Sequence, residues 1–266
     1  MRLALSPTLC PDYTVDRFVE LARGAGFERV ELLRDRTESS PVHRDFSVSM
    51  VRDLLRREGV VLAAFHIRDL TGRKADSDER NLAYNLRQLE WDIHLARALG
   101  AEHLVVRAGE GSSDNAEEDL TDGLGQLVER VPAVSLSMSS RAGSQLQERA
   151  DYDKLLARVP DSIGVCLDTG ELLVAGEDVV RVAESLASRI GIVRLRDRSG
   201  DDSVPPGCGD LPLEDLLSQL QRGGYRGDLV VDLAESTEGD RSRTAEDGRQ
   251  RLEEILDGLF AEAGDR

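Results

Sequence analysis

Lysine is almost absent from this 266-residue chain: Lys74 and Lys154 are the only two, and arginine carries nearly all of the positive charge. Cysteine is scarce as well. Cys10, Cys166 and Cys208 are odd in number, widely spaced and form no CxxC pair, which excludes a disulfide framework and a thiolate metal site. No apolar run approaches the ~20 residues that span a bilayer. The N-terminal Met1-Arg-Leu-Ala-Leu-Ser-Pro lacks the long apolar core of a secretion signal. These absences lead us to expect a cytoplasmic protein with no membrane contact. Runs rich in Lys and Arg are missing too, and the formal net charge is −17. Such a surface repels polyanions on average, so no nucleic-acid partner is expected.

What is present is a regular alternation. With 40% hydrophobic residues and no break in composition, the chain reads as a single domain over residues 1–266. Strand-type runs fall at residues 2–6, 29–33, 60–66, 103–106, 134–138, 163–167, 190–195 and 228–233. Helical patterns lie between them, at 14–23, 47–58, 78–99, 116–130, 178–187, 213–222 and 244–260, with a weaker one at 151–157. In the helix over 78–99, Leu82, Leu86, Leu89, Ile93 and Ala96 build one apolar stripe. Gly24, Gly26, Gly59 and Gly100 stand where helix C-caps belong. Eight strand-helix units of this length predict an α/β fold, a single (β/α)8 TIM barrel. A doubly wound open sheet is the alternative, but no Gly-rich phosphate fingerprint follows the first strand.

Barrel enzymes carry their chemistry at the C-terminal ends of the strands. That rule selects Glu31, His66, Arg107, Ser139, Asp168, Glu171, Arg194, Asp197 and Asp232. The sharpest case is Ile163-Gly-Val-Cys-Leu-Asp-Thr-Gly-Glu171, an apolar strand that ends in one carboxylate and turns to deliver a second. Each candidate also has a plainer reading. Asp168 is either a site acid or a salt-bridged cap, Glu171 a site acid or a cap of the following turn, and Asp232 a site acid or a loop marker. His66 and Glu31 are substrate contacts or satisfied rim residues. Arg107, Arg194 and Arg196 have the bidentate guanidinium that suits a phosphate or carboxylate. Strand alternation places Arg194 and Arg196 on one side. His43, His94 and His103 read as structural, and Cys166 as a small core residue.

Taken in order, Gly26-Phe-Glu-Arg-Val-Glu31, His66, Leu99-Gly-Ala-Glu-His-Leu-Val-Val106, Cys166-Leu-Asp-Thr-Gly170, Val193-Arg-Leu-Arg-Asp197, Pro206-Gly-Cys-Gly-Asp210 and Gly224-Tyr-Arg-Gly-Asp-Leu-Val-Val-Asp232 make the chain resemble the xylose isomerase-like barrel superfamily of sugar-phosphate isomerases and epimerases. The resemblance covers most of the length. It implies one divalent cation held by a glutamate after strand 5, an aspartate after strand 6, a histidine after strand 7 and a glutamate after strand 8. It also implies two glutamates that shuttle a proton between adjacent carbons. Carried over by position, the strand 6 aspartate is Asp168 and the strand 8 acid is Asp232. The strand 5 glutamate falls at Ser139 and the strand 7 histidine at Arg194. The histidine usual after the Asp-Thr-Gly turn is Glu171, and the glutamate of the later glycine-rich loop is Cys208.

Arg194 is the decisive departure. A guanidinium stays protonated and has no lone pair for a metal, so it is expected among the acids as an ion-pair partner that can take the metal position itself. The cofactor expectation is accordingly one cation, Mn²⁺ or Mg²⁺, on Asp168 and Asp232, or none. The leading expectation is an isomerase or epimerase acting on a small polyhydroxylated or phosphorylated substrate. Asp168, Glu171, Asp232 and Glu31 would then be catalytic, with His66, Arg107, Arg194 and Arg196 binding substrate. The alternative is a degenerate barrel that binds a sugar-like ligand or a protein partner. A nuclease like the endonuclease branch of the superfamily is disfavoured by four histidines and the charge of −17. A monomer or small homo-oligomer is expected by family analogy.

Overall fold

Whether eight parallel strands stay open or close depends on the first and last meeting. In the computed structural model, which describes residues 1–42, 45–70, 80–109, 116–130, 135–233 and 241–264, they meet. β1 (Arg2–Leu5) pairs in parallel with both β2 (Arg29–Leu33) and the last barrel strand. Between them run β3 (Val61–His66), β4 (His103–Arg107), β5 (Ser135–Ser139), β6 (Ile163–Asp168) and β7 (Ile190–Leu195). A short antiparallel hairpin, β8 (Asp197–Ser199) and β9 (Asp202–Val204), precedes the closing strand β10 (Asp228–Val231). The closed order is β1-β10-β7-β6-β5-β4-β3-β2. The barrel expected from the sequence is therefore the one observed, and the open sheet is not.

The helices that link the strands are α1 (Val15–Gly24), α2 (Val48–Glu58), α3 (Arg80–Leu99), α4 (Ala116–Arg130), α5 (Arg149–Leu156), α6 (Thr169–Val174), α7 (Val179–Ser185), α8 (Leu213–Arg222) and α9 (Arg241–Gly264). Most neighbours pack side by side, and α9 closes the ring by lying against α1 and α8. Local chemistry sets their limits. Ser47 caps α2 by accepting from the Met50 amide at 3.3 Å. Gly59 ends the same helix at φ 64°, a left-handed conformation that costs a β-carbon-bearing residue energy. His43, Val134 and the first two residues of the helix expected over 78–99 lie outside the described residues.

Two cores result. A large apolar one lies between strands and helices, with Phe18, Phe27, Phe65 and Tyr152 among its largest buried side chains. A small one contains Ala4, Ala64, Val105, Cys166, Ile192 and Val230. Two residues further along the same strands stand Ser6, His66, Arg107, Asp168, Arg194 and Asp232. Alternation therefore carries each of them to the same face, one layer nearer the C-terminal rim. Small apolar residues plug the middle of the barrel, and charged ones gather above them.

α6 and the β8–β9 hairpin were not anticipated. Asp168 caps α6 through the Glu171 amide at 3.2 Å, a stop-start signal too short for helical periodicity to register. The hairpin turns at Gly200, φ 60°, across only three paired residues per strand.

Candidate functional site

Arg194 occupies the centre of the rim. It lies on β7 beside Asp168 of β6 and Val230 of β10 in register, and its side chain is only 4% exposed. Its Nε donates to Glu31 Oε2 at 3.2 Å, Nη1 to Asp168 Oδ2 at 3.4 Å and Nη2 to Ser6 Oγ at 3.2 Å. Nη2 also stands 2.9 Å from Asp232 Oδ2. Three carboxylates from three strands thus converge on one guanidinium. Arg196, two residues on, reinforces them: Nε is 3.1 Å from Asp232 Oδ2, and Nη1 is 3.1 Å from Glu171 Oε1 and 3.6 Å from Asp168 Oδ1.

The backbone around Arg196 is pinned by Thr169, whose Oγ1 accepts from the Arg196 amide at 2.8 Å and donates to its carbonyl at 2.6 Å. Gly170 belongs to this arrangement. A β-carbon there would fall 2.7 Å from Arg196 Cβ, so the Thr-Gly pair lets the two chains approach. Glu171 is held by Arg196 on one oxygen and by the Ala142 amide at 2.9 Å on the other.

Burial and charge set the protonation of these groups. Burial by itself would raise the Glu31 carboxyl, but the charge of Arg194, the adjoining His66 imidazole and the Ser6 hydroxyl, 2.7 Å away, hold it well below the usual carboxylate range. Burial lowers the His66 imidazole against the opposing pull of Glu31, so it stands neutral at pH 7. Its Nε2 is 2.6 Å from Glu31 Oε1, off the line of a good hydrogen bond, and its buried Nδ1 has no partner among the described residues. Burial pushes the Asp232 carboxyl up, and Arg194 and Arg196 offset only part of this. Burial disfavours the Arg194 cation, yet Asp232, Glu31 and Asp168 raise its pKa above the ordinary arginine value. Attraction to Asp168 raises Arg196 as well, against its own burial.

The structure therefore brings Glu31, His66, Asp168, Glu171, Arg194, Arg196 and Asp232 into one cluster. Arg107 ends β4 opposite Ser139 at the edge of this group, half-buried, and its charge reaches His66. Ser139 is buried, its Oγ donating to the Ser140 carbonyl at 3.3 Å. Asp197 does different work. Fully buried, it accepts from four backbone amides, those of Arg198, Leu211, Gly207 and Gly209, at 2.7 to 2.9 Å. It organises the loop after β7 and is not part of the charged cluster. His94 is exposed on α3, and His103 sits between Ser135 and Ser137 at the opposite end of the barrel. The sequence reading missed Ser6 and Thr8. Thr8 hydrogen-bonds both Ser6 and Asp232, and the position of Ser6-Pro-Thr directly after β1 was a usable signal.

Residues 19–255 match the family model for the xylose isomerase-like TIM barrel. The chain belongs to this family. Among curated relatives, a Streptomyces coelicolor protein that carries the name of a putative hydroxypyruvate isomerase is 41% identical over 61 residues, 23% of this chain and 21% of that protein. The inosose dehydratase of Lacticaseibacillus casei is 24% identical over 142 residues, 45% of this chain and 48% of that protein. The matched region spans less than half the length of each. The solved structure of the IolI protein, described with a bound zinc atom, superposes with a TM-score of 0.77 at 16% identity over 98% of this chain and 99% of that one; at that identity the likeness is one of fold.

A xylose isomerase-like barrel implies a cation, and the donors of this rim can be tested against one. Glu31, Asp168 and Asp232 offer the hard oxygens that Mn²⁺ or Mg²⁺ prefers, but each points an oxygen at Arg194, which cannot ligate a metal. Among the described residues no three His, Cys, Asp or Glu side chains form a set able to hold an ion. The residues present do not fit the metal. No helix among the described residues is long and apolar enough to cross a membrane.

Proposed function

We propose that this barrel is an enzyme of the sugar isomerase or epimerase type. It would move a proton between adjacent carbons of a small polyhydroxylated carbonyl compound, phosphorylated or not, at the C-terminal rim. The carrying observation is the pairing of Glu171 with Arg196 at the mouth of the buried cluster. Glu171 is the most accessible of the four rim carboxylates at 22% exposed, and Arg196 is 29% exposed beside it. A carboxylate next to a guanidinium suits proton removal alpha to a carbonyl. Glu171 would take the proton from carbon while Arg196 stabilises the charge that develops on the enediolate oxygen.

Returning that proton from Glu171 to the neighbouring carbon completes an isomerisation. An epimerisation needs a second acid on the other face of the same carbon; His66 would serve there only as the imidazolium, protonated from solvent at its partnerless Nδ1, since the proton of the neutral ring faces Glu31. Asp168 and Asp232 fix Arg196, and Glu31 fixes His66. The matched relatives lend support through their names: isomerisation and dehydration of a hydroxycarbonyl compound both begin with loss of a proton alpha to the carbonyl.

A second reading has its own observation. Every nitrogen of Arg194 faces a protein oxygen, which suits a barrel that binds a sugar-like ligand without turning it over. Deuterium exchange separates the two. The protein is incubated in D₂O with a panel of aldoses, ketoses and their phosphates, and the carbon alpha to each carbonyl is followed by proton NMR. The enzyme reading expects exchange in at least one compound, slowed on the order of 10²–10⁴-fold in Glu171→Gln. Thermal stabilisation by a panel compound without any exchange would replace it with the binding reading.

A further inference from the structure

We infer that Arg194 is a tethered cation standing where a divalent ion would sit, so that this rim takes its positive charge from the chain itself and binds no metal. The inference is independent of which reaction, if any, the rim performs.

Glu31, Asp168 and Asp232 arrive from β2, β6 and the end of β10 and are all buried. Three carboxylates in one dry layer repel each other and have lost most of their hydration, at a cost of several kcal/mol per uncompensated ion. Something positive must stand among them. Arg194 reaches all three, at 3.2, 3.4 and 2.9 Å, from a strand that lies between two of theirs. Its fourth contact, Ser6 Oγ, also donates to Glu31 and so ties the guanidinium to the acid layer a second way.

Charge sharpens the point. Arg194 and Arg196 together bring two positive charges to the same three acids and to Glu171, the charge that one divalent ion would bring. They bring it differently. A metal ion accepts electron pairs and activates a bound water or carbonyl, whereas two guanidiniums only donate hydrogen bonds from fixed planes. A divalent ion entering this layer would meet Arg194 inside its own coordination sphere. The side chain is 4% exposed and hydrogen-bonded on every nitrogen, so displacement must break all of these contacts at once.

The test reads metal occupancy and thermal stability, with no turnover involved. The full chain is stripped with chelator, dialysed, and exposed in turn to Mn²⁺, Co²⁺, Zn²⁺ and Mg²⁺. Bound metal is counted by equilibrium dialysis and Tm is followed by calorimetry. A cation bound to the folded state and present at a hundred times its Kd would lift Tm by about 5 °C in a chain of this size. The wild type is expected to show no stoichiometric metal and no such rise. Arg194→His, which replaces the guanidinium by a ligand and leaves the three carboxylates, is expected to take up one Mn²⁺ or Zn²⁺. Adding Asp168→Asn to that variant should remove it.

Losing Arg194 threatens folding, but the wild-type metal count keeps the inference open to refutation whether or not a variant folds, and a second variant adds a direct readout of the position. Arg194→Ala should gain Tm from millimolar guanidinium chloride relative to equal sodium chloride, as the free cation refills the position. One equivalent of divalent metal in the wild type, lost on Asp168→Asn, overturns the inference. So does a folded Arg194→His that binds no cation, or an Arg194→Ala that guanidinium fails to stabilise.

Discussion

Replacing Asp197 by alanine should destabilise the barrel by about 4 kcal/mol, although the residue is outside the charged cluster. Its two oxygens accept four backbone amides: Arg198 at 2.7 Å and Leu211 at 2.9 Å on one, Gly207 at 2.8 Å and Gly209 at 2.9 Å on the other. A hydrogen bond to a charged acceptor contributes about 1.5–3 kcal/mol. Water recovers part of this in the variant, because the loop around residues 207–209 lies near the surface. The buried Leu211 amide recovers nothing, and an unsatisfied buried donor costs about 1–3 kcal/mol. The net is about 4 kcal/mol, which at roughly 2 °C per kcal/mol for this length lowers Tm by about 8 °C. Asp197→Asn serves as the control. Its amide oxygen still accepts two donors while its NH₂ faces the other two, so about half of the loss or more should persist. Urea denaturation followed by circular dichroism measures both variants. An alanine variant within about 1 kcal/mol of wild type would refute the reasoning, since four amides on one buried carboxylate cannot be that cheap to orphan.

Two further outcomes test other parts of the barrel. His103, buried between the Ser135 and Ser137 hydroxyls, has its pKa lowered by burial to about 4, whereas in the unfolded chain it titrates near 6.5. Its contribution to stability is therefore complete above pH 6.5 and is lost as pH falls from there to about 4, amounting to about 3 kcal/mol over the window. Urea titrations of wild type and His103→Gln at pH 7.5 and 5 check the sign, and an identical pH slope in the two proteins would contradict it. Gly191→Ala would place a β-carbon 2.6 Å from both His103 Cε1 and Ser137 Oγ. Overpacking of this kind costs about 1–3 kcal/mol, visible as a lowered urea midpoint.

The charged rim was legible in part, and particular residues show why. Asp168, Arg194 and Asp232 stand at or beside the ends of apolar strands, and that abrupt change of chemistry is a local signal. Period-two alternation then puts Arg194 and Arg196 on one face without any knowledge of the partner strands. Ser6 and Thr8 carry no such contrast: a serine after Ala-Leu looks like any turn residue until β1 is seen beside Glu31 and Asp232. Asp197 misled for the complementary reason. In the sequence it closes an apolar run just as Asp168 does, but it lies past β7 and opens β8, where four amides up to 14 residues away hold it to a structural task.

By itself, then, the sequence determined the eight strand-helix units, their order, and which residues lie at strand ends, because hydrophobic periodicity and capping act over a few residues. Only the tertiary structure decided that β10 closes on β1 and that three acids from β2, β6 and the end of β10 share a single guanidinium. It also decided that Asp197 serves its loop while Glu171 reaches Arg196 and the Ala142 amide. The contacts between these acids and the two guanidiniums join residues 25 to 163 positions apart along the chain, and no local pattern encodes which of many possible partners a buried charge will meet. Closure of the barrel makes that choice, since it removes water from the layer and obliges each ion to find its counter-charge there.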